Sequence, residues 1–379
     1  MTAVHRSLAL FLSQGKSLLW WRETGLLSRE MALYLRLLRE GVFEEVLVFS
    51  YDPADRAFVA EQAKRDPLYA RVRVLAPRRR SATGARAALW SVVGPLRHAR
   101  EIGAARAIKT NQLNSAVAAL AAASRTGRPL VLRYGYLLSS SYHDSGRKLR
   151  ARATRVLERI AYARADRILV SSRDMASKVS ARGFGGKVLV TPTYVDVEGF
   201  SAKTEYDFSA PLVWVGRPVA QKNLENLIRA CAMTGRALTL IGFDEAGSGL
   251  GALVRETGAR VEFAGKVPNE LLPERLRRHS VFMLPSFYEG LPKVLIEAMA
   301  CGLVCVASDV SGVGDLITDG ETGYLIRGFE PADIAAAIER ACSEADPEVG
   351  RRARTLIERD FGLDGYAARE AGVYAALPG

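Results

Sequence analysis

The sequence predicts an α/β protein of two domains, each a parallel β-sheet covered by helices. The chain has 379 residues, of which 49% are hydrophobic, and this length favours two domains over one. Short apolar runs alternate with longer helical patterns through both halves, as in parallel sheets covered by helices. Pro192 to Pro211 has no sustained periodicity and is predicted to be the interdomain linker.

Seven short apolar runs in the first half are predicted strands. Helical patterns fill the gaps between them and include Ser28–Glu40 and Leu149–Ala163. We therefore predict an N-terminal Rossmann-like domain over residues 1–195. Its predicted strands are Leu8–Leu12, Val46–Phe49, Val72–Leu75, Ala107–Ile108, Leu130–Arg133, Ile168–Ser171 and Val188–Thr191.

The second half repeats the alternation with six predicted strands. A second Rossmann-like domain is predicted over residues 196–365, facing the first across a cleft. Residues 366–379 are predicted to form a C-terminal helix that packs back towards the first domain. The six strands are Leu212–Gly216, Ala237–Ile241, Val261–Ala264, Val281–Leu284, Val304–Ala307 and Gly323–Ile326.

Composition argues against several protein classes. The four cysteines are too few and too clustered for a disulfide framework, and none of the four histidines completes a zinc spacing. No apolar run approaches the roughly 20 residues that a membrane helix requires. We therefore expect buried structural thiols, no metal site and a cytoplasmic protein that does not span a membrane.

Positive charge is concentrated in the first half. Residues 1–200 hold 34 of the 53 Lys and Arg but only 16 of the 41 Asp and Glu. Such a domain favours nucleic acid, an anionic membrane surface at the inner face of the membrane, or an acidic acceptor. Residues 146–167 combine eight basic residues with the apolar Leu149, Val156 and Ile160, which suits lipid headgroups. The alternative is an ordinary helix that packs this apolar stripe on the sheet; nucleic acid ranks last because no binding module is recognisable.

The most informative segment is residues 281–312. A buried strand leads into a loop, and then Pro292 and Gly302 are suited to begin and end a helix. The amides and the positive dipole end at the start of such a helix favour a diphosphate. Two glutamates bracket this point, Glu289 in the loop and Glu297 on the helix.

This segment resembles the retaining GT-B glycosyltransferases of family 4. Their hallmark is a pair of glutamates separated by seven residues, and Glu289-Gly290-Leu291-Pro292 and Glu297-Ala298-Met299-Ala300-Cys301-Gly302 fit it closely. The resemblance implies that Glu289 binds the hydroxyls of the donor sugar and Glu297 the ribose diol. It also implies main-chain contacts to sugar and phosphate from Gly290, Leu291, Pro292, Lys293 and Val294.

A second match to this family lies at Val213–Ala230. A predicted strand ends at Gly216, and Arg217 and Lys222 follow in the spacing that the family uses to hold the donor diphosphate. An arginine fork and a lysine point charge together offset the phosphate charge, so no divalent cation is required. Gly265-Lys266-Val267 matches the segment that lies against the nucleotide base in the family.

The resemblance implies a retaining, metal-independent transferase that uses a UDP- or GDP-sugar and no cofactor. The acceptor hydroxyl attacks from the face that the diphosphate leaves, and Arg217, Lys222 and the helix N-terminus stabilise the departing phosphate. Together with Glu289, they form the predicted catalytic set. The implied acceptor is a hydroxyl compound, either lipid-linked or an anionic glycan, in bacterial polysaccharide or glycolipid synthesis.

The first half resembles the family mainly in architecture. Gly25 stands where the acceptor-side glycine loop of the family would lie. Many members place a histidine after a middle strand, but the corresponding segment here, Leu132 to Tyr136, contains none. Arg133 and Tyr136 are therefore the candidates to line the acceptor side.

Four other functions are weighed against the transferase. Residues 247–252 match a dinucleotide fingerprint, but they do not directly follow a strand, and Asp244 and Glu245 would repel pyrophosphate. A glycosidase that uses the two glutamates would leave the nearby basic residues without a purpose. A non-catalytic nucleotide-sugar-binding partner subunit and a GT-B nucleotide-sugar epimerase stay open.

Overall fold

The computed structural model describes residues 5–134 and 148–378 and divides the chain into two compact units. Unit 1 comprises Met1–Pro192 together with Tyr366–Gly379, and unit 2 comprises Thr193–Gly365. Each unit contains its own parallel sheet and its own hydrophobic core. The two predicted parallel-sheet domains are therefore confirmed.

The described part of unit 1 contains a seven-stranded parallel sheet. Its strand order is β3-β2-β1-β4-β5-β6-β7, so the winding direction reverses between β1 and β4. Every predicted strand is present, with ends that differ by at most about three residues, as is usual for element boundaries. The strands are β1 His5–Phe11, β2 Phe43–Phe49, β3 Val72–Leu75, β4 Ala107–Thr110, β5 Leu130–Tyr134, β6 Arg167–Val170 and β7 Val188–Val190.

Helices connect these strands on both faces of the sheet. The predicted helices at residues 28–40 and 149–163 are found as α2 and α7, and each differs by one residue at either end. The helices of unit 1 are α1 Leu18–Glu23, α2 Leu27–Arg39, α3 Asp55–Ala63, α4 Gly84–Arg97, α5 Ala99–Gly103, α6 Ala116–Thr126, α7 Lys148–Arg164, α8 Arg173–Val179 and α15 Leu363–Ala375, whose first residues belong to unit 2.

One face of the unit 1 sheet is covered by α4, α6 and α7. Strand alternation turns Phe11, Phe49 and Ile108 towards these helices, and the buried alanines of α6 pack among them. Helix α7 contributes Ala161 and Tyr162 to this core. The residues that pack are therefore not the stripe of Leu149, Val156 and Ile160, which is exposed. The alternative that α7 packs this stripe on the sheet is wrong.

The opposite face of the sheet carries a buried ion pair to α15. Lys109 lies next to Ile108 on β4, so its side chain points the other way. Its Nζ donates to both carboxylate oxygens of Glu370 at 2.6 Å, and the Tyr374 hydroxyl donates to the same carboxylate at 2.7 Å. Lys109 and Glu370 are fully buried, so a charged contact anchors α15 to β4.

Unit 2 contains a six-stranded parallel sheet in its described part, in the order β10-β9-β8-β11-β12-β13. All six predicted strands are found, and the winding direction reverses between β8 and β11. The strands are β8 Leu212–Val215, β9 Leu238–Ile241, β10 Val261–Phe263, β11 Val281–Leu284, β12 Val304–Ser308 and β13 Tyr324–Ile326. The helices are α9 Leu224–Thr234, α10 Gly251–Thr257, α11 Leu272–Arg277, α12 Lys293–Ala300, α13 Pro331–Glu344 and α14 Pro347–Phe361.

All four cysteines are buried free thiols, as expected. Within residues 5–134 and 148–378, every helix is too short or too polar to cross a membrane.

Candidate functional site

The candidate site lies where the winding of the unit 2 sheet reverses. Strands β8 and β11 are parallel neighbours, with Phe282 opposite Val213. Their carboxyl ends therefore open side by side, and the chain leaves them in opposite directions. Open α/β sheets bind ligands in the crevice at such a point. The loops after β8 and β11 are the segments that contain Lys222 and Glu289.

Lys222 and Glu289 form an ion pair across these two loops. The Lys222 ammonium donates to Glu289 Oε1 at 2.6 Å, and the side chains are only 16% and 8% exposed. Backbone contacts fix the loops beside this pair, because the Phe287 amide donates to the Gln221 carbonyl at 2.9 Å. The Gln221 side chain in turn donates to the Tyr288 carbonyl at 2.6 Å. Hydrogen bonds between the two loops thus hold the two charges side by side.

A left-handed residue directs the chain from Lys222 into α9. Ala220–Lys222 forms one 3-10 turn, and Asn223 then adopts φ 53°. Asparagine tolerates this region better than most residues. The side-chain amide of the buried Asn223 donates from Nδ2 to the Phe329 carbonyl at 2.9 Å, which ties the turn to the loop before α13. Lys222 is therefore positioned by its neighbour as well as by Glu289.

The Glu289 loop is packed against the loop that follows β12. Gly312 has φ 83°, and a Cβ atom there would overlap the carbonyl oxygen of Gly290. Only glycine allows this approach of two backbones. The shape of the loop that carries Glu289 therefore depends on a glycine about twenty residues further along the chain.

We expect Gly312→Ala to destabilise unit 2 by about 2–4 kcal/mol, since positive φ and overlap with backbone act together. Gly258→Ala is the matched control, because Gly258 has φ 68° but no atom within 4 Å of its added Cβ. The control is expected to cost about 1 kcal/mol. Urea unfolding followed by far-UV circular dichroism measures both; equal costs would show that the approach to Gly290 does not matter.

Helix α12 begins directly after the Glu289 loop. Pro292 precedes it, and Cys301 and the left-handed Gly302 end it. The first amides of such a helix have no carbonyl within the helix to which they can donate. The Lys293 ammonium lies 4.9 Å from the centre of the Tyr194 ring, whereas Glu297 is buried and only 4% exposed.

Three glycines line the ends of β8, β9 and β10. The Gly242 amide donates to the Gly265 carbonyl at 2.8 Å, and a Cβ on Gly242 would overlap the carbonyl oxygen of Gly216. The predicted Gly216 and Gly265 are thus joined through Gly242. Arg217 and Lys266, which follow two of these glycines, are exposed, and within the described residues their side chains make no hydrogen bond or ion pair.

Two family models match most of the chain. Residues 210–344 match the model described as glycosyl transferases group 1. Residues 25–193 match the model described as glycosyl transferase 4-like domain. The chain belongs to the group 1 glycosyltransferase family.

Curated relatives of this group 1 family member match part of its length. An alpha-D-kanosaminyltransferase from Streptomyces kanamyceticus is 33% identical over 177 residues, 44% of this chain and 45% of the relative. A D-inositol 3-phosphate glycosyltransferase from Nocardiopsis dassonvillei is 30% identical over 210 residues, 48% of each chain. These alignments therefore span about half the length of the relatives.

Solved structures show the same fold over the whole length. HepE from Anabaena in complex with UDP has a TM-score of 0.75 and 19% identity, covering 98% of this chain and 100% of the other. At this identity the likeness concerns the fold alone. It confirms the predicted GT-B class of two Rossmann-like domains for this group 1 glycosyltransferase.

Sequence reasoning missed several residues that shape the site of this group 1 glycosyltransferase. Gln221 and Asn223 hold the Lys222 turn, and Gly242 and Gly312 hold the neighbouring loops. A glycine directly after β9 was an available signal for Gly242. The partners of Gly312 and Gln221 lie far along the chain, so no local pattern identifies them.

Two buried serines at the same edge of the sheet also escaped the sequence analysis. Ser286 follows β11 and Ser308 ends β12, and both are at most 1% exposed. Within the described residues, neither hydroxyl has a hydrogen-bond partner. Buried polar atoms are usually satisfied, so these two leave hydrogen-bonding capacity at the strand ends beside the Glu289 loop.

The predicted acceptor-side residues lie in unit 1. Gly25 lies between α1 and α2, whereas Gly15 occupies the loop after β1, where a Cβ would overlap the Ala82 carbonyl oxygen. Arg133 donates to the Tyr366 hydroxyl at 3.3 Å and to the Asn111 carbonyl at 3.4 Å. Tyr136 lies outside the described residues. The three assignments stay predictions.

Proposed function

We propose that this chain is a retaining glycosyltransferase that moves a hexose from a nucleotide diphosphate sugar to a hydroxyl acceptor. The observation that carries the proposal is the Lys222–Glu289 pair, with its 2.6 Å contact at the reversal point of the unit 2 sheet. At that point, an ammonium suited to binding phosphate lies beside a carboxylate suited to accepting hydrogen bonds from sugar hydroxyls. Membership of the group 1 family supports the same activity.

Donor binding rearranges this ion pair. The departing diphosphate attracts the Lys222 ammonium, and vicinal sugar hydroxyls donate to the Glu289 carboxylate. Arg217 is exposed beside the same loop and is free to turn towards the second phosphate. Two side-chain cations and the start of α12 then offset the diphosphate charge, so the proposed mechanism uses no metal ion.

The proposed chemistry is one displacement on the donor sugar. The bond between the anomeric carbon and the phosphate oxygen breaks while the bond to the acceptor oxygen forms on the same face, through an oxocarbenium-like state. The acceptor proton passes to the leaving phosphate. Lys222 and Arg217 contribute most as negative charge develops on that phosphate.

Binding and product formation by the wild-type chain test this proposal. HepE was solved with UDP-glucose, so UDP-glucose is the first donor to test, beside GDP-mannose. We expect one of these two nucleotide sugars to raise the unfolding temperature of the chain. A ligand at about 100 times its dissociation constant adds about 2.7 kcal/mol to the free energy of unfolding. NMR of the transferred sugar is expected to show the anomeric configuration of the donor.

Each other outcome identifies a different function. Stabilisation by a nucleotide sugar without transfer to any acceptor would support a non-catalytic partner subunit. A converted sugar nucleotide that forms without an acceptor would support an epimerase. Inverted configuration in the product would contradict the proposed displacement.

The structure also bears on the oxidoreductase alternative. A Cβ at Gly251 would overlap the Glu245 carboxylate, so an acidic group lies where a pyrophosphate would need backbone amides.

A further inference from the structure

Three helices of unit 1 expose an unusual number of aliphatic side chains. Sixteen large hydrophobic side chains are exposed among the described residues, and eight belong to α4, α6 and α7. We call the solvent-facing side of these helices the outer helical face. Its exposed aliphatics are Leu89, Val92, Val93 and Leu96 on α4, Val117 on α6, and Leu149, Val156 and Ile160 on α7.

These side chains belong to one layer of helices. Helix α6 packs against both α4 and α7, and all three cover the same core. On α7, residues 149, 156 and 160 lie on one side of the helix, because their spacings of seven and four residues bring them into line. Ala161 and Tyr162 point inwards instead. The aliphatic stripes therefore face away from the core.

The outer helical face is also strongly basic. The three helices contain nine Lys and Arg and one acidic residue, Glu158, which is buried and pairs with Arg182 at 2.7 Å. Arg152, Arg155 and Arg159 are exposed on α7 beside the aliphatic stripe, and within the described chain none of them has a carboxylate partner. Elsewhere on the surface, exposed arginines such as Arg327 and Arg340 of unit 2 pair with aspartate.

We propose that the outer helical face docks this protein on an anionic lipid bilayer. Exposed aliphatic patches rimmed by polar groups mark interaction surfaces. A bilayer can bind both the aliphatic side chains and the arginines of this face. The aliphatic side chains enter the boundary between headgroups and acyl chains, while the arginines remain at the lipid phosphates. The exposed arginines of α7 add electrostatic attraction to anionic headgroups.

Other occupants fit this surface less well. Two copies of the face would bring like charges together, because the three helices of each copy carry eight more basic than acidic residues. Proteins bind single-stranded nucleic acid by stacking its bases on aromatic rings. The eight exposed large hydrophobic side chains of this face are instead leucine, valine or isoleucine. A bilayer accepts an aliphatic stripe and a cationic rim together.

Vesicle sedimentation of the full chain tests the proposal without any donor or acceptor. Failure of the transferase activity would therefore not affect the result. We expect the wild-type chain to sediment with phosphatidylcholine vesicles that contain about one quarter phosphatidylglycerol, and to bind less as the salt concentration rises. Binding to pure phosphatidylcholine vesicles is expected to be about tenfold weaker or less.

Paired variants separate the two contributions. Leu96→Ser with Leu149→Ser is expected to weaken binding by about tenfold, whereas Met233→Ser with Leu271→Ser, at exposed positions of unit 2, leaves it unchanged. Arg152→Glu with Arg155→Glu is expected to weaken it by about a hundredfold. Arg229→Glu with Arg275→Glu in unit 2 makes the same change in charge and is the control; Arg229 lies 3.8 Å from Glu256 in an exposed ion pair, which contributes little to stability.

Three results would overturn the docking proposal. The first is a wild-type chain that stays in the supernatant with anionic vesicles at physiological salt. The second is equal loss of binding in the unit 2 controls, which would assign the attraction to the whole protein. The third is a wild-type chain that self-associates and does not bind vesicles, while the Leu96→Ser and Leu149→Ser variant is monomeric. This result would make the outer helical face an interface between copies of the chain.

Discussion

Lys222→Met is expected to lower the rate of sugar transfer by about a hundred- to a thousandfold, the loss found when one preorganised electrostatic group is removed from an active site. Methionine keeps most of the side-chain volume and removes the charge 2.6 Å from Glu289. The measurement is kcat for transfer with UDP-glucose, or with the donor that the binding screen identifies. Lys178→Met, in an exposed pair with Asp174 on α8, is the control and is expected to keep full activity.

Glu289→Gln separates the roles of the two partners. Because Lys222 is proposed to bind phosphate and Glu289 the sugar, Lys222→Met weakens the binding of UDP itself. Glu289→Gln instead weakens the binding of UDP-glucose and leaves UDP binding close to that of the wild type. Titration calorimetry distinguishes these patterns. Unchanged transfer in either variant would remove that residue from the proposed site.

Lys109→Met is expected to destabilise unit 1 by about 3–5 kcal/mol, because it removes the ammonium that donates to both oxygens of the buried Glu370 carboxylate. Lys178→Met again serves as control, with an expected cost below about 1 kcal/mol for an exposed pair. Tryptophan fluorescence during urea unfolding reports mainly on unit 1, which contains Trp20, Trp21 and Trp90 of the four tryptophans. Similar costs for both variants would show that the buried pair contributes no more to stability than the exposed pair.

The pH dependence gives a second readout of the same pair. Burial alone would raise the pKa of Glu370, but the Lys109 ammonium and the hydrogen bonds from Lys109 and Tyr374 outweigh it and hold the pKa below its ordinary value of 4.5. The stabilisation from the charged carboxylate is therefore present above pH 4.5 and is lost as the pH falls through the lower folded pKa. Lys109→Met removes the largest contribution that lowers the pKa of Glu370 and leaves the smaller ones from Tyr374 and Arg133. The difference in the free energy of unfolding between wild type and variant is therefore expected to narrow in acid.

The fold class and most strand positions were accessible from the sequence because they depend on local patterns. The apolar run Val281–Leu284 is found as β11 with the same ends. Gly302 closes α12 in the left-handed region that glycine favours. The Lys222 and Glu289 assignments came from motifs within single loops, although the ion pair between them joins positions 67 residues apart.

The outer side of α7 shows where periodicity misleads. Leu149, Val156 and Ile160 have the spacing of a core-facing stripe, yet small residues and Tyr162 face the sheet instead. A helical pattern defines which residues share a side, but it does not decide which side meets the core. That choice depends on the shape of the neighbouring α6, whose alanines leave room for a close approach.

The sequence by itself determined the two parallel-sheet domains, the order of their elements and the two loops that carry the candidate charges, since periodicity, turn residues and short motifs are local properties. Tertiary structure alone decided that Lys222 contacts Glu289, that Gly312 shapes the Glu289 loop and that Lys109 is paired with Glu370 across 261 positions. Each of these contacts depends on the order in which strands enter a sheet, because that order sets which distant segments become neighbours in space.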